Sequence, residues 1–433
     1  MSGTTAGLIG LGIMLVLMFA NFNLAFSFIV TGFIGLWLML GFNGALTFLQ
    51  TIPVTTAMTY SLSVIPMFML MGDISVDGRL TTDAYGAARN FLGRMHGGLA
   101  ITSTVASAIF GAICGSGQAT AAVMSQIAWP EMKRYHYDRR LGLCSIAAAG
   151  PLAILIPPST PLITYGILAE TSISKLFMAG WIPGIMLTII LCLTTYVRCR
   201  INPKLAPLAD KTSRKEKLHS LSQAWPILVL IIVIMVFIWG GITTVNEAAG
   251  LAVLVAMIIT FIKRRLNVKQ MLRTVKNCAT VASGLFFIFV GIQVFNSFLG
   301  MTRLPAKLAA FITGLDVPPM VIIWCIVILY LILGCFIDTP VIMMLTIPLF
   351  APAVSALGFD LVWFGILSTM TVALGSITPP VGICLFVIAA RIKDCKLSEL
   401  MSGVWPYVIA TFAATVLVMY IPALSTWLPS LMK

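Results

Sequence analysis

The chain has 433 residues, of which 59% are hydrophobic and 9% charged, and its mean hydropathy is +1.03. A soluble domain carries about 25% charged residues, so an ordinary globular enzyme is excluded and the composition is that of an all-α polytopic membrane protein. The net charge of +13 reads as basic cytoplasmic loops, not a nucleic-acid partner, if the cations segregate to one side.

The stretch from Ala6 to Ala20 has no basic region before it, so no cleavable signal peptide is expected. Apolar segments of membrane length, about 20 residues each, are predicted near 6–20, 24–41, 54–72, 98–130, 140–170 and 181–198. Residues 81–95 mix apolar and polar positions at helical spacing and are predicted to lie along the interface or pack on the bundle; 304–315 hold the equivalent place later. After a basic stretch, segments recur near 224–241, 247–263, 277–299, 317–355, 361–390 and 404–428. The two sets are one pattern displaced by about 223 residues, which aligns Asn23 with Asn246, Gly111 with Gly334, Ser116 with Thr339, Pro157 with Pro380 and Gly180 with Gly403. The chain therefore divides into a first repeat, 1–198, a cytoplasmic linker, 199–223, and a second repeat, 224–433.

Five net crossings per repeat, starting outside, put 23 of the 27 basic residues inside and leave Lys175, Arg303, Lys307 and Lys433 outside. The positive-inside rule thus fixes an odd parity, two repeats of inverted topology, and both termini on the periplasmic side. Within each repeat two segments are broken. Residues 98–130 carry GAICGSGQAT between two cytoplasmic flanks, and 317–355 carry GCFIDTP between two outer flanks, so each is a re-entrant helical hairpin. Residues 140–170 and 361–390 each cross once but are interrupted at IPPSTP and SITPP, where proline removes a donor and splits the helix.

Unwound backbone at mid-membrane survives only where protein buries it or a site solvates it. At each break one helix offers free carbonyls to a cation and the next offers free amides to an anion. A sodium-coupled carrier of an organic anion needs both. Asp338 is the one acidic residue inside a break, and either coordinates a cation and orders the tip or caps the following helix. Gly115 and Gly117 permit close helix packing, while Ser116, Gln118 and Thr120 add hydroxyl and amide ligands beside them. Ser159, Thr160 and Thr378 satisfy backbone freed by proline and face the same region.

Other residues carry less. Glu247, three residues after Thr244, reads as a capping box. The nine cysteines read as small hydrophobes, and Trp129, Trp181, Trp225 and Trp405 as interfacial anchors. His96, His136 and His219 fall in inside loops, which argues against a proton relay or a hydrolase; the chain is read as a carrier and not an enzyme.

Across IPMFMLMG (65–72), GAICGSGQATAAVMS (111–125), IPPSTPLITYG (156–166), GCFIDTPVIMMLTIPLFAP (334–352) and LGSITPPVG (374–382) the sequence resembles the large membrane subunit of tripartite ATP-independent periplasmic (TRAP) transporters. The divalent-anion/sodium symporters share the inverted hairpins, but their Ser-Asn-Thr tips are absent here. The resemblance implies the elevator-type ion transporter superfamily fold, no cofactor, and sodium as the coupling ion. It also implies a periplasmic substrate-binding protein that delivers an organic acid of the C4-dicarboxylate, sugar acid, keto acid or sialic acid class. A small membrane subunit of about four helices is expected as a separate chain.

Carried over onto this sequence, the resemblance places substrate and sodium among Gly115, Ser116, Gly117, Gln118, Thr120, Pro157, Pro158, Ser159, Thr160, Asp338, Thr339, Pro340, Thr378, Pro379, Pro380 and Gly382. Sodium would be held by Ser116, Asp338, Thr339, Thr378 and backbone carbonyls, and Arg303 would contact the binding protein or a lipid headgroup. A proton-coupled or exchange carrier on the same fold is the alternative.

Overall fold

The computed structural model describes residues 3–20, 22–210, 212–393 and 395–432; Lys211, Lys433 and the first residues, whose sides the charges assign, lie outside it. The described residues form helices joined by short turns, with no strand among them. Seven helices are individually long and apolar enough to cross a membrane, and three further pairs qualify across sharp bends. Since lipid offers the backbone no partners, this closed set of helices is what the composition demands.

The repeat is visible element by element. Each half contains a hairpin (Gly98–Cys114 with Gly117–Arg134; Pro319–Phe336 with Thr339–Ala356) and a broken helix (Arg139–Leu155 with Thr160–Leu168; Leu361–Gly375 with Ile383–Arg391). The paired landmarks Gly111 and Gly334 do the same job in both. A Cβ on Gly111 would lie 2.4 Å from the Cα of Ala153, and one on Gly334 would lie 2.8 Å from the Val372 carbonyl oxygen. Each glycine therefore lets the first hairpin helix seat directly on the backbone of its own broken helix.

The second helix of each hairpin packs on its own broken helix and also on that of the other repeat. Gly117–Arg134 lies against Ile383–Arg391, and Thr339–Ala356 lies against Thr160–Leu168. Two inverted repeats are thereby interlocked around one centre. A separate group of long helices surrounds them, chiefly Leu24–Ala57 packed along Val268–Thr302 and Val64–Asp77 packed along Val245–Ile262.

Helix starts follow cap chemistry more closely than hydropathy. Arg214–Trp239 begins well before its apolar portion because Ser213 and Glu216 form a capping box, and Val268–Thr302 begins early because Asn267 and Gln270 form another. The Ser213 amide, bound to the Glu216 carboxylate, holds that carboxyl below its ordinary 4.5. Glu247 caps Val245–Ile262 through Thr244, as its spacing predicts. Leu24–Ala57 is two helices that meet at a kink at Gly41, where φ is +77° and ψ 168°.

Two expectations change in detail. Leu80–Leu92 is bent 66° from the preceding helix and packs on Gly98–Cys114 and Arg214–Trp239, with Leu80, Ala84 and Tyr85 buried; of the two placements open for 81–95, packing is the one observed. Trp129 is only 8% exposed and lies against Gly142, so it fills the core and is no interfacial anchor. Trp225 and Trp405 remain exposed.

The bend before Leu80 is fastened electrostatically. Asp83, whose side chain is 11% exposed, pairs with Lys263 at 3.2 Å and Arg265 at 3.0 Å, while Arg265 also donates to the carbonyls of Gly78 and Arg79. Asp83→Ala is expected to cost about 2 kcal/mol, between the values for surface and buried pairs, because two half-buried cations lose their counterion. Thermal unfolding in detergent checks this; a melting temperature equal to that of the parent would show that the bend holds without the pairs.

Candidate functional site

The hairpin tips are built from ordinary capping rules. In the first, Gly115 ends the incoming helix at φ +63° and Ser116 caps the outgoing one, its Oγ accepting from the Ala119 amide at 3.4 Å. Only a residue without Cβ suits this turn, since a Cβ on Gly115 would stand 2.9 Å from the Pro158 carbonyl oxygen. In the second tip Asp338 caps Thr339–Ala356, its Oδ1 accepting from the Thr339 amide at 2.8 Å.

The two tips meet. Gln118 Nε2 donates to Asp338 Oδ1 at 2.8 Å. Asp338 Oδ2 has no hydrogen-bond partner among the described residues. The side chain lies deep in the molecule, yet its surface is open to a cavity of about 200 Å³ at the junction. Because hairpins that enter from opposite sides touch at their ends, each stops short of the far side.

All four breaks contribute to this cavity: Ser116 and Gly117, Thr160 and Pro161, Thr339 and Pro340, and Ile383 and Cys384. Each pair starts a helix of nine residues or more, so four helix N-termini converge on one space. No Lys or Arg among the described residues lines it. The arrangement attracts negative charge through backbone amides and offers a cation Asp338, nearby hydroxyls and the ends of the incoming helices.

Both breaks in the crossing helices are tied to their hairpins by backbone. The Thr160 amide donates to the Gly115 carbonyl at 3.4 Å, and the Gly382 amide donates to the Cys335 carbonyl at 3.2 Å. Each break also contains a cis proline bond, at Pro157–Pro158 and Pro379–Pro380.

Of the residues predicted for the site, Gly115, Ser116, Gly117, Gln118, Thr160, Asp338, Thr339 and Pro340 line the cavity. The others stand behind it. Ser159 is fully buried, donating to the Ile154 carbonyl and accepting from the Leu162 amide, and the Thr378 hydroxyl donates to the Leu374 carbonyl at 2.6 Å. Thr120 is buried with its hydroxyl unpaired among the described residues. Pro157, Pro158, Pro379, Pro380 and Gly382 shape the breaks without lining the space. Arg303 lies away from it, in left-handed conformation at the end of Val268–Thr302.

Sequence reasoning missed Met69, Val281 and Leu285, which wall the cavity from the surrounding helices. These sit in plain apolar runs and carry no local signal. Ser376, also lining it, was within reach, because it stands inside SITPP as Thr378 does; Cys384, which lines it too, follows just beyond that motif.

A family model described as "Tripartite ATP-independent periplasmic transporter, DctM component" matches residues 11–424. The chain belongs to this family. Among TRAP proteins it is similar to the C4-dicarboxylate TRAP transporter large permease protein DctM of Pseudomonas aeruginosa, with 32% identity over 402 residues, 90% of this chain and 93% of that one. It is similar to the sialic acid large permease protein SiaM of Vibrio cholerae at 30% identity, covering 86% and 87% of the two chains. The ectoine/5-hydroxyectoine large permease protein UehC of Ruegeria pomeroyi is 28% identical over 421 residues, 96% and 97% of the two chains. In structure, the YdaH transporter of Alcanivorax borkumensis aligns with a TM-score of 0.68 at 17% identity, over 88% of this chain and 89% of that one, a likeness of fold alone. The chain is a TRAP large permease and a multi-pass membrane protein, with the paired inverted repeats that its sequence predicts.

Proposed function

We propose that this TRAP large permease is the carrier of a sodium-coupled uptake system for an organic acid anion in the bacterial inner membrane. The observation that carries the reading is the Gln118–Asp338 contact, which joins the tips of both repeats over a cavity reached by four helix N-termini. A carboxylate cargo is held there by amides, with no basic side chain among the described residues to neutralise it. Bound sodium therefore supplies the missing positive charge, which couples the two. Asp338 Oδ2, with no protein partner, is the first ligand for that ion.

In this reading both termini face the periplasm, a periplasmic binding protein delivers the cargo, and a small membrane subunit completes the carrier. The interlocked hairpins and broken helices move as one body against the surrounding long helices, which is an elevator motion. Sialic acid, C4-dicarboxylates and ectoine in the relatives' names share a carboxylate, so the cargo class extends to this chain while the individual compound does not.

The test is uptake by proteoliposomes containing both membrane subunits and the loaded binding protein. An inward sodium gradient is expected to drive accumulation of a carboxylate, and an equal potassium gradient is not. Uptake driven as well by a proton gradient without sodium would overturn the coupling and favour the proton-linked carrier.

A further inference from the structure

A second cavity, of about 290 Å³, adjoins the first. Cys114 and Val281 line both. From that shared pinch the second cavity runs between the first hairpin and two of the surrounding helices, past Asp73 and Asp77 on Val64–Asp77 and past Asn277 and Thr274 on Val268–Thr302. Along all three elements the direction away from the pinch is the direction toward the basic loops that the charges place inside. Val281 is 55% exposed although it faces these two cavities.

The lining is acidic and unneutralised. No Lys or Arg among the described residues borders the second cavity. Asp77 accepts from the Thr274 hydroxyl, whereas Asp73 has neither a hydrogen bond nor an opposite charge among the described residues. A cleft with low-dielectric walls and charge of one sign concentrates ions of the other sign.

We propose that this passage is the cytoplasmic route to the central cavity, and that Asp73 makes it selective for cations. The coupling cation then exchanges with the cytoplasm past Asp73. The direction of the route rests on the orientation given under the proposed function; the adjacency of the two cavities at Cys114 and Val281 does not.

The test is Val281→Cys in the otherwise unaltered full-length chain, with Asn277→Cys as a second position should the first fail to fold. Inside-out and right-side-out vesicles are treated with a cationic (trimethylammonium) and an anionic (sulfonate) methanethiosulfonate, and peptide mass spectrometry reads modification at the new cysteine. The expected result is modification from the cytoplasmic face, roughly tenfold faster or more with the cationic reagent, with the preference collapsing in Asp73→Asn. Modification only from the outer face overturns the orientation and with it the cytoplasmic route. No modification at either position from either face overturns the passage itself, and equal rates for the two reagents overturn the selectivity.

Discussion

Asp338→Ala is expected to lower sodium-driven uptake by about two to four orders of magnitude. Three losses coincide: the helix cap on Thr339, the bridge to Gln118, and the one carboxylate at the junction of the tips. Losing the charged partner of an enclosed ion costs about 3–5 kcal/mol, and each 1.36 kcal/mol is tenfold in rate. Asp338→Asn separates the roles. Asn caps a helix about as well as Asp, so a purely structural Asp338 would be rescued by Asn, to within a few-fold of the parent. If the charge holds the cation, Asn fails nearly as badly as Ala while the protein stays folded. Uptake rates beside melting temperatures for the three proteins decide between these outcomes.

The first tip responds as strongly to shape as the second does to charge. Gly115→Val puts a β-branched residue at φ +63°, a true outlier for that type, and drives its Cβ to within 2.9 Å of the Pro158 carbonyl oxygen and 3.2 Å of the Thr160 amide. The tip and the first break cannot both keep their places, so uptake is expected to fall below about a hundredth of the parent, for a local cost of about 3 kcal/mol. Gly117→Ala is the control within the same motif. Its backbone is not left-handed, its Cβ would meet the Gly150 carbonyl oxygen at 3.3 Å, and the gain in helix propensity, up to about 1 kcal/mol, offsets that contact. Uptake by Gly117→Ala is expected to stay within about threefold of the parent. Comparable activity in the two variants would show that the motif is only a packing surface.

The breaks were legible because their chemistry is local. Glycine and polar residues inside an apolar run, as in GSGQAT and FIDTP, and paired prolines in IPPSTP and SITPP have few uses at membrane depth, so position and consequence both followed from the residues. The capping half of the Asp338 reading was local and is seen at the Thr339 amide, whereas its contact with Gln118 joins residues 220 apart in sequence.

What the residues did not announce is whatever depends on a distant segment. The crossing of each hairpin onto the other repeat's broken helix is carried by apolar faces that would suit many neighbours. The same holds for Met69, Val281 and Leu285. Residues 42–53 read as a gap between spans because of their polar side chains, yet a second helix runs through them after the kink at Gly41. Thr47, Thr51, Thr55 and Thr59 each return a hydroxyl to the carbonyl four residues back, so their polarity is spent on the helix itself. Buried Trp129 illustrates the opposite error, an aromatic at a segment end that finds its partner inside the bundle.

Thermal stability of the purified protein in sodium and in potassium at equal ionic strength, for the parent and for Asp338→Asn, tests the cation site most directly. A ligand that binds only the folded state stabilises it, by about 2.7 kcal/mol at a hundred times its Kd. The account predicts a sodium-specific rise in the parent that is absent in Asp338→Asn. A parent that melts identically in both salts, or a variant that keeps the full sodium effect, would contradict a coupling site at the meeting of the two hairpin tips.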